Sequence, residues 1–211
     1  MRAFERALKL QAAILGACVL LAFAVELVDE VALGGSLDRF GVRPRSPAGL
    51  WGILAAPLLH AGWLHLASNT GPFIVLGWLV LLRGIGTFVV VTLCAMLLGG
   101  LGVWVFGGAN SLHIGASGLV FGYLGYVLAR GYFERSIRSV VLAVAAGILY
   151  GGLLVGLLPG QRGISWEGHV FGLLGGVAAA YLLVGVRAAK IRAPDDPAVR
   201  YLRRVRRSRS R

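Results

Sequence analysis

The sequence predicts an all-α polytopic membrane protein, a bundle of six transmembrane helices with a short, sunken fourth helix. Two observations predict this class. Hydrophobic residues make up 57% of the 211 residues and charged residues only 14%, whereas about one quarter of a soluble domain is charged. The hydrophobic residues also cluster in segments that suffice for six crossings at about 20 residues each. This composition excludes an ordinary soluble protein and a disordered chain.

The six apolar segments are joined by short connections, except after the first segment. They cover residues 10–28, 63–82, 87–106, 117–129, 140–158 and 169–186. The first segment lacks a small-residue cleavage site, so we interpret it as a retained helix rather than a signal peptide. The long connection after it, residues 29–62, is rich in proline and apolar residues, which predicts a loop in the membrane interface. Residues 1–9 and 187–211 are then the tails of a six-helix domain spanning residues 10–186.

Basic residues indicate the orientation of the chain. If the N-terminus is cytosolic, seventeen of the 21 Lys and Arg residues lie on the cytosolic side, ten of them in residues 187–211. Because Lys and Arg are enriched in cytosolic loops, we expect both termini in the cytosol. We expect the basic tail to be disordered and to bind anionic lipid rather than nucleic acid. The excess of Arg over Lys is typical of a GC-rich bacterial genome, which favours a bacterial plasma membrane.

The fourth segment is too short to cross a membrane as an ordinary helix. Its 13 residues would span about 20 Å, against about 30 Å of hydrocarbon. We take Arg130 to mark its inner end, so Ser117 is expected roughly 10 Å below the outer surface. The Gly-rich residues 107–115 must then descend into the membrane, where irregular backbone is tolerated only beside protein or water. The sequence therefore predicts that Ser117 faces a water-filled pocket at a helix N-terminus.

Four polar side chains are expected at one depth in the outer half of the membrane, where such residues are usually functional. Ser117 begins the fourth segment and His169 begins the sixth. His65 and Asn69 share one face of the second segment, because they are four residues apart. A histidine can take the proton of a serine, and the oxyanion that forms on attack needs hydrogen-bond donors. The four side chains and the Ser117 amide therefore predict serine-type acyl transfer.

We expect no carboxylate to orient His169. Glu167 lies two residues before it and is expected to be exposed, and Glu26 lies in the first segment. The simplest catalytic unit is therefore a serine and a histidine alone. Small residues on the fourth and sixth segments allow the two helix backbones to approach closely, which would bring the pair together. These residues are Gly118, Gly122, Gly125, Gly172 and Gly176.

At these residues the sequence resembles the rhomboid family of intramembrane serine proteases. The family patterns are His-x-x-x-Asn at residues 65–69, Gly-x-Ser-Gly at 115–118, and Gly-His with downstream glycines at 168–176. The resemblance covers residues 57–186 and implies a protease that cleaves transmembrane substrates near their outer ends. It implies that Ser117 is the nucleophile and His169 the base, with His65, Asn69 and the Ser117 amide as the oxyanion hole. We expect no metal and no cofactor.

Other residues match the family pattern or depart from it. His60 matches a histidine often present in the family, and we expect it to make a structural hydrogen bond. Phe121 stands where some relatives have tyrosine, so it can stack on the histidine ring without donating a hydrogen bond to it. The first loop has Trp51-Gly52 in place of a Trp-Arg pair. We also expect four glycines of these motifs to support the site by letting backbones approach closely. They are Gly115, Gly118, Gly172 and Gly176.

Two other function classes stay open. A catalytically inactive rhomboid-like scaffold or chaperone that binds membrane proteins would usually lack the serine or the histidine, and both are present. A small transporter would be expected to carry paired intramembrane charges, whereas only Glu26 lies within a predicted segment. Each motif alone is also compatible with a packing role. Four matched positions in the same order are what favour the protease.

Overall fold

The computed structural model describes residues 2–192, and this part of the chain is helical with no strand. Six long helices follow one another along it. They are α1 (Arg2–Val28), α2 (Trp63–Leu81), α3 (Ile85–Phe106), α4 (Ser117–Glu134), α5 (Ile137–Tyr150) and α6 (Trp166–Arg192). The predicted all-α class is confirmed.

Five segments of residues 2–192 are long and apolar enough to cross a membrane. They are Phe4–Leu33, Trp63–Leu81, Ile85–Phe106, Ile137–Leu157 and Trp166–Gly185. The helix α4 is not among them, because two charged residues and several glycines and tyrosines lower its hydropathy. The predicted count of six crossings therefore stays a prediction.

The helix α4 is longer than the sequence predicted. It continues past Ala129 to Glu134 and has 18 residues, which corresponds to a length of about 27 Å. Arg130 does not mark its inner end, because this side chain is buried and its Nε donates a hydrogen bond to Glu134 Oε2 at 2.9 Å. Arg83 donates to the other carboxylate oxygen at 2.6 Å. A charge that is paired inside the bundle does not mark a membrane surface.

Other boundaries also differ from the predicted ones. The helix α1 begins at Arg2, so residues 2–9 are helical rather than a separate tail. After α5 the chain continues as a 3-10 helix, Gly151–Leu157. The helix α6 extends beyond the predicted end at residue 186, so the predicted basic tail begins inside it, and residues 193–211 lie outside the described part.

The long connection between α1 and α2 is made of short helical turns. It starts with a π-helical turn, Asp29–Leu33, and includes a four-residue helix, Gly52–Ala55. The side chains of Trp51 and Leu54 are exposed on it. Its backbone pairs with the loop before α4 through an isolated bridge between Val42 and His113. This connection therefore supports the loop that leads to Ser117.

The helix α4 lies at the centre of the bundle and contacts α2, α3, α5 and α6. It packs against α6 through glycines, as predicted. A Cβ atom added to Gly172 would collide with the Gly118 carbonyl oxygen, and one added to Gly176 would collide with that of Gly122. Only residues without a side chain allow this separation. The contact sets the N-terminus of α4 beside that of α6.

Candidate active site

Ser117 is the first residue of α4, and the preceding loop holds its backbone in place. Gly115 has a φ of +107°, which favours glycine. A Cβ atom there would lie 2.8 Å from the His65 ring, so a side chain is excluded for steric reasons as well. The Gly115 amide donates to the Ala56 carbonyl at 2.8 Å. The start of α4 is therefore tied to the first loop and lies against α2.

The Ser117 hydroxyl lies against the ring of His169. The distance from Ser117 Oγ to His169 Nε2 is 2.8 Å, and the histidine is 8% exposed. His169 Nδ1 lies 2.9 Å from the Gly156 carbonyl oxygen, which can only accept a hydrogen bond. Nδ1 therefore carries the ring proton, and Nε2 accepts the hydrogen bond that the Ser117 hydroxyl donates. This is the tautomer that a general base needs.

The His169 ring is held on its face as well as at its edge. Phe121 stacks on it with 4.1 Å between ring centroids and 14° between planes. A Cβ atom on Gly156 would lie 3.1 Å from His169 Nδ1 and 3.3 Å from Phe121 Cζ. The ring is thus enclosed between the aromatic side chain and the 3-10 helix that follows α5. Its orientation is fixed by this packing and by the Gly156 carbonyl rather than by a carboxylate.

Glu167 is not exposed, contrary to the expectation from sequence. It is only 6% exposed and lies in the first turn of α6, where a negative charge interacts favourably with the helix dipole. The Gly156 carbonyl, not Glu167, accepts the hydrogen bond from His169 Nδ1. A backbone carbonyl therefore occupies the place that a carboxylate has in a catalytic triad.

His65 and Asn69 line a cavity of about 760 Å³ together with Ser117 and His169. The Ala61 amide donates to His65 Nδ1 at 3.2 Å, so the proton of a neutral His65 ring lies on Nε2. No described residue accepts a hydrogen bond from that nitrogen. Asn69 Nδ2 donates one hydrogen to the His65 carbonyl at 3.0 Å and has a second one available. The cavity wall therefore offers two side-chain donors close to the serine.

The Ser117 amide is a third donor beside the cavity. Because Ser117 is the first residue of α4, its N–H group has no carbonyl partner within the helix. The amide of the residue before it, Ala116, donates to His60 Nε2 at 3.2 Å.

His60 is buried and stays neutral. It is 1% exposed, and its ring packs edge-on against His65 at 5.0 Å between centroids. Burial and the neighbouring His65 lower the pKa of His60 to about 4, and the Leu58 carbonyl opposes this shift only in part. The neutral ring can therefore accept the Ala116 hydrogen bond at physiological pH. This contact fixes the backbone directly before Ser117.

His113, to which no sequence pattern assigns a role, also lines the cavity. Its ring nitrogens lie 2.7 Å from Ser111 Oγ and 2.6 Å from Ser165 Oγ. Ser165 is 52 residues away along the chain, and no motif or periodicity links the two positions. Among residues 2–192, no group of three His, Cys, Asp or Glu side chains is arranged to hold a metal ion.

Comparisons with known proteins place the chain in a family of membrane proteins. A family model described as the Rhomboid domain matches residues 47–186. Uncharacterized protein Rv1337 of Mycobacterium tuberculosis is 47% identical over 173 residues, which cover 78% of this chain and 72% of the relative. Uncharacterized protein ML1171 of Mycobacterium leprae is 40% identical over 189 residues, covering 84% and 74%. Putative rhomboid protease YdcA of Bacillus subtilis is 27% identical over 141 residues, covering 64% and 67%.

Proposed function

Because the chain belongs to the rhomboid family, we propose that it is an intramembrane serine endopeptidase that uses Ser117 and His169 as a two-residue catalytic unit. The family and the apolar helices make it an integral membrane protein, and rhomboid proteins act on membrane-protein substrates. The observation that carries the proposal is the 2.8 Å contact between Ser117 Oγ and His169 Nε2 beside a cavity of about 760 Å³. The substrate we propose is a transmembrane segment that unwinds into this cavity.

The first half of the reaction forms an acyl-enzyme. His169 Nε2 takes the hydroxyl proton while Ser117 Oγ bonds to the carbonyl carbon of the scissile peptide. The carbonyl oxygen becomes an oxyanion that accepts hydrogen bonds from the Ser117 amide, His65 Nε2 and Asn69 Nδ2. The carbon–nitrogen bond then breaks, and the leaving amine receives the proton from His169. The Gly156 carbonyl, 2.9 Å from Nδ1, stabilises the imidazolium that forms between these steps.

The second half of the reaction hydrolyses the acyl-enzyme. His169 Nε2 removes a proton from a water molecule in the cavity, and the resulting hydroxide attacks the ester carbonyl carbon. The same three donors stabilise the second oxyanion. When the ester bond breaks, Ser117 regains its proton from His169, and a carboxylic acid product leaves. Every step uses side chains and backbone groups of this chain together with water.

The distribution of charge supports the orientation that we propose for this enzyme. With the buried Arg130 left out, sixteen of the remaining 20 Lys and Arg residues lie on one side if both termini are cytosolic. The cavity then opens to the outer face of the membrane, which we propose to be a bacterial plasma membrane. Residues 187–211 carry ten of those charges and would attract anionic lipid at the cytosolic surface.

Cleavage of a single-span substrate in proteoliposomes tests the proposal. Wild type should cut the substrate near the outer end of its transmembrane segment, and Ser117→Ala and His169→Ala should both abolish cutting. Ser36→Ala is the matched control, because it removes a first-loop hydroxyl away from the cavity, and it should cleave like wild type. Equal cleavage by all four proteins would refute the proposal. Substrate binding without cleavage by wild type would favour the inactive scaffold instead.

A further inference from the structure

His113 lies in the loop between α3 and α4, four residues before Ser117. Its backbone amide and carbonyl both form hydrogen bonds with Val42, in the long connection between α1 and α2. The His113 amide donates to the Val42 carbonyl at 3.0 Å, and the Val42 amide donates to the His113 carbonyl at 2.9 Å. The direction of the His113 ring is therefore set by a paired backbone rather than by a free loop.

The hydrogen bonds around His113 determine which nitrogen carries its proton. The Ser111 hydroxyl donates its single hydrogen to the Gly108 carbonyl at 2.6 Å, so it accepts from His113 Nε2 at 2.7 Å. In the neutral ring Nδ1 is then the acceptor, and the Ser165 hydroxyl donates to it at 2.6 Å. Burial lowers the pKa of His113, and the charge of Glu167 opposes this shift. The ring therefore stays neutral at physiological pH.

Ser165 couples this ring to the helix that carries His169. It directly precedes α6, and its carbonyl accepts a hydrogen bond from the His169 amide at 3.1 Å. The surroundings leave little room for movement. A Cβ atom on Gly168 would lie 3.0 Å from Ser165 Oγ, and one on Gly107 would lie 3.2 Å from His113 Nε2. A shift of Ser165 relative to His113 is therefore also a shift of His169 relative to Ser117.

We propose that His113 is a positioning residue, which holds the first turn of α6 against the loop that carries Ser117 and so sets the distance between the serine and the histidine. The inference rests on the proposed function. The glycine contact between Gly118 and Gly172 sets how closely the two helices approach. The bond from Ser165 to His113 sets how their first turns align. His113 has no bond to Ser117 or His169, so it acts through the backbone.

Substitutions at His113 separate its two hydrogen bonds. An asparagine side chain can place Oδ1 at the position of Nδ1 and so keep the hydrogen bond from Ser165. A glutamine side chain can reach only the position of Nε2, so it keeps the bond to Ser111 and loses the one from Ser165. A misplacement of 1 Å can cost about 100-fold in rate, so we expect His113→Ala and His113→Gln to lower kcat roughly 10- to 100-fold. KM should change less than about twofold, because the substrate-facing donors are unaltered. His113→Asn should recover kcat to within about threefold of wild type.

The two serines provide a matched pair. Ser165→Ala and Ser111→Ala each remove one hydroxyl bonded to the same ring, but only Ser165 leads into α6. We expect Ser165→Ala to lower kcat like His113→Ala, and Ser111→Ala to stay within about threefold of wild type. Because the two groups act as a unit, the double variant of His113 and Ser165 should lose no more than either single variant. Thermal melting in detergent shows whether each variant is folded.

The outcomes distinguish this inference from the proposed function. Cleavage by wild type that is lost in Ser117→Ala establishes the protease first. Against that background, wild-type kcat in His113→Ala or Ser165→Ala overturns the positioning role alone. An asparagine variant as slow as the alanine variant overturns it as well, and so does an equal loss in Ser111→Ala and Ser165→Ala. Asparagine rescue together with a non-additive double variant supports it.

Discussion

Replacing Gly172 with alanine tests whether backbone contact between α4 and α6 is what brings the catalytic pair together. The added Cβ atom would overlap the Gly118 carbonyl oxygen, a backbone atom that has no rotamer with which to move aside. Because non-bonded heavy atoms sit about 3.5 Å apart, the two helices must separate by roughly 1 Å. The distance from Ser117 Oγ to His169 Nε2, now 2.8 Å, would then exceed hydrogen-bond length.

The expected cost follows from that separation. Misplacement by 1 Å costs about 100-fold in rate, so kcat should fall roughly 100-fold. Overpacking of this kind destabilises a protein by about 1–3 kcal/mol, so the melting temperature in detergent should also fall. The control is Gly185→Ala on the same helix, where an added Cβ atom has no neighbour within 4 Å. It should leave cleavage unchanged and stabilise the helix slightly.

Cleavage of the single-span substrate and thermal melting, measured on both glycine variants, decide the question. A Gly172→Ala protein that melts below wild type and cleaves about 100-fold more slowly agrees with the packing argument. A Gly172→Ala protein that cleaves like wild type would show that the pair does not depend on this contact.

Three further predictions concern the groups around the pair. His65→Ala and Asn69→Ala should each lower kcat about 10²- to 10³-fold through loss of an oxyanion donor, and wild-type kcat in both would exclude that role. Glu167→Gln should keep kcat within about threefold, because the Gly156 carbonyl holds His169 Nδ1; a triad-like loss of about 10⁴-fold would contradict this. The pKa of His60 is lowered to about 4 in the folded protein, so between about pH 4 and 6.5 His60 binds fewer protons folded than unfolded. The melting temperature should therefore fall as the pH is lowered from about 6.5 to 4. His60→Gln should flatten that dependence, and an unchanged slope would count against the burial argument.

Local sequence patterns predict most of the helices and the residues proposed for the site. Apolar runs about 20 residues long predicted the helices, since lipid requires such lengths. The glycines at four-residue spacing predicted the contact between α4 and α6, because helix geometry sets their common face. The pairing of a serine with a histidine 52 residues away followed from assuming a common depth in the membrane.

Features that depend on three-dimensional contacts were not predictable in the same way. Arg130 resembles a membrane-surface residue until Arg83 and Glu134 are seen beside it. Glu167 resembles an exposed first-turn acid, yet it is only 6% exposed in the folded chain. The Gly156 carbonyl that orients His169 is a backbone group, so the residue types in the sequence do not indicate it.

Labelling with a fluorophosphonate tests the central claim most directly, because this reagent reacts with a serine hydroxyl only when a base has activated it. The site of the adduct is found by mass spectrometry of the purified protein in detergent. We expect wild type to carry one adduct, on Ser117, and His169→Ala to carry none while keeping its melting temperature. An adduct on another residue, or equal labelling of Ser117 in His169→Ala, would contradict the account.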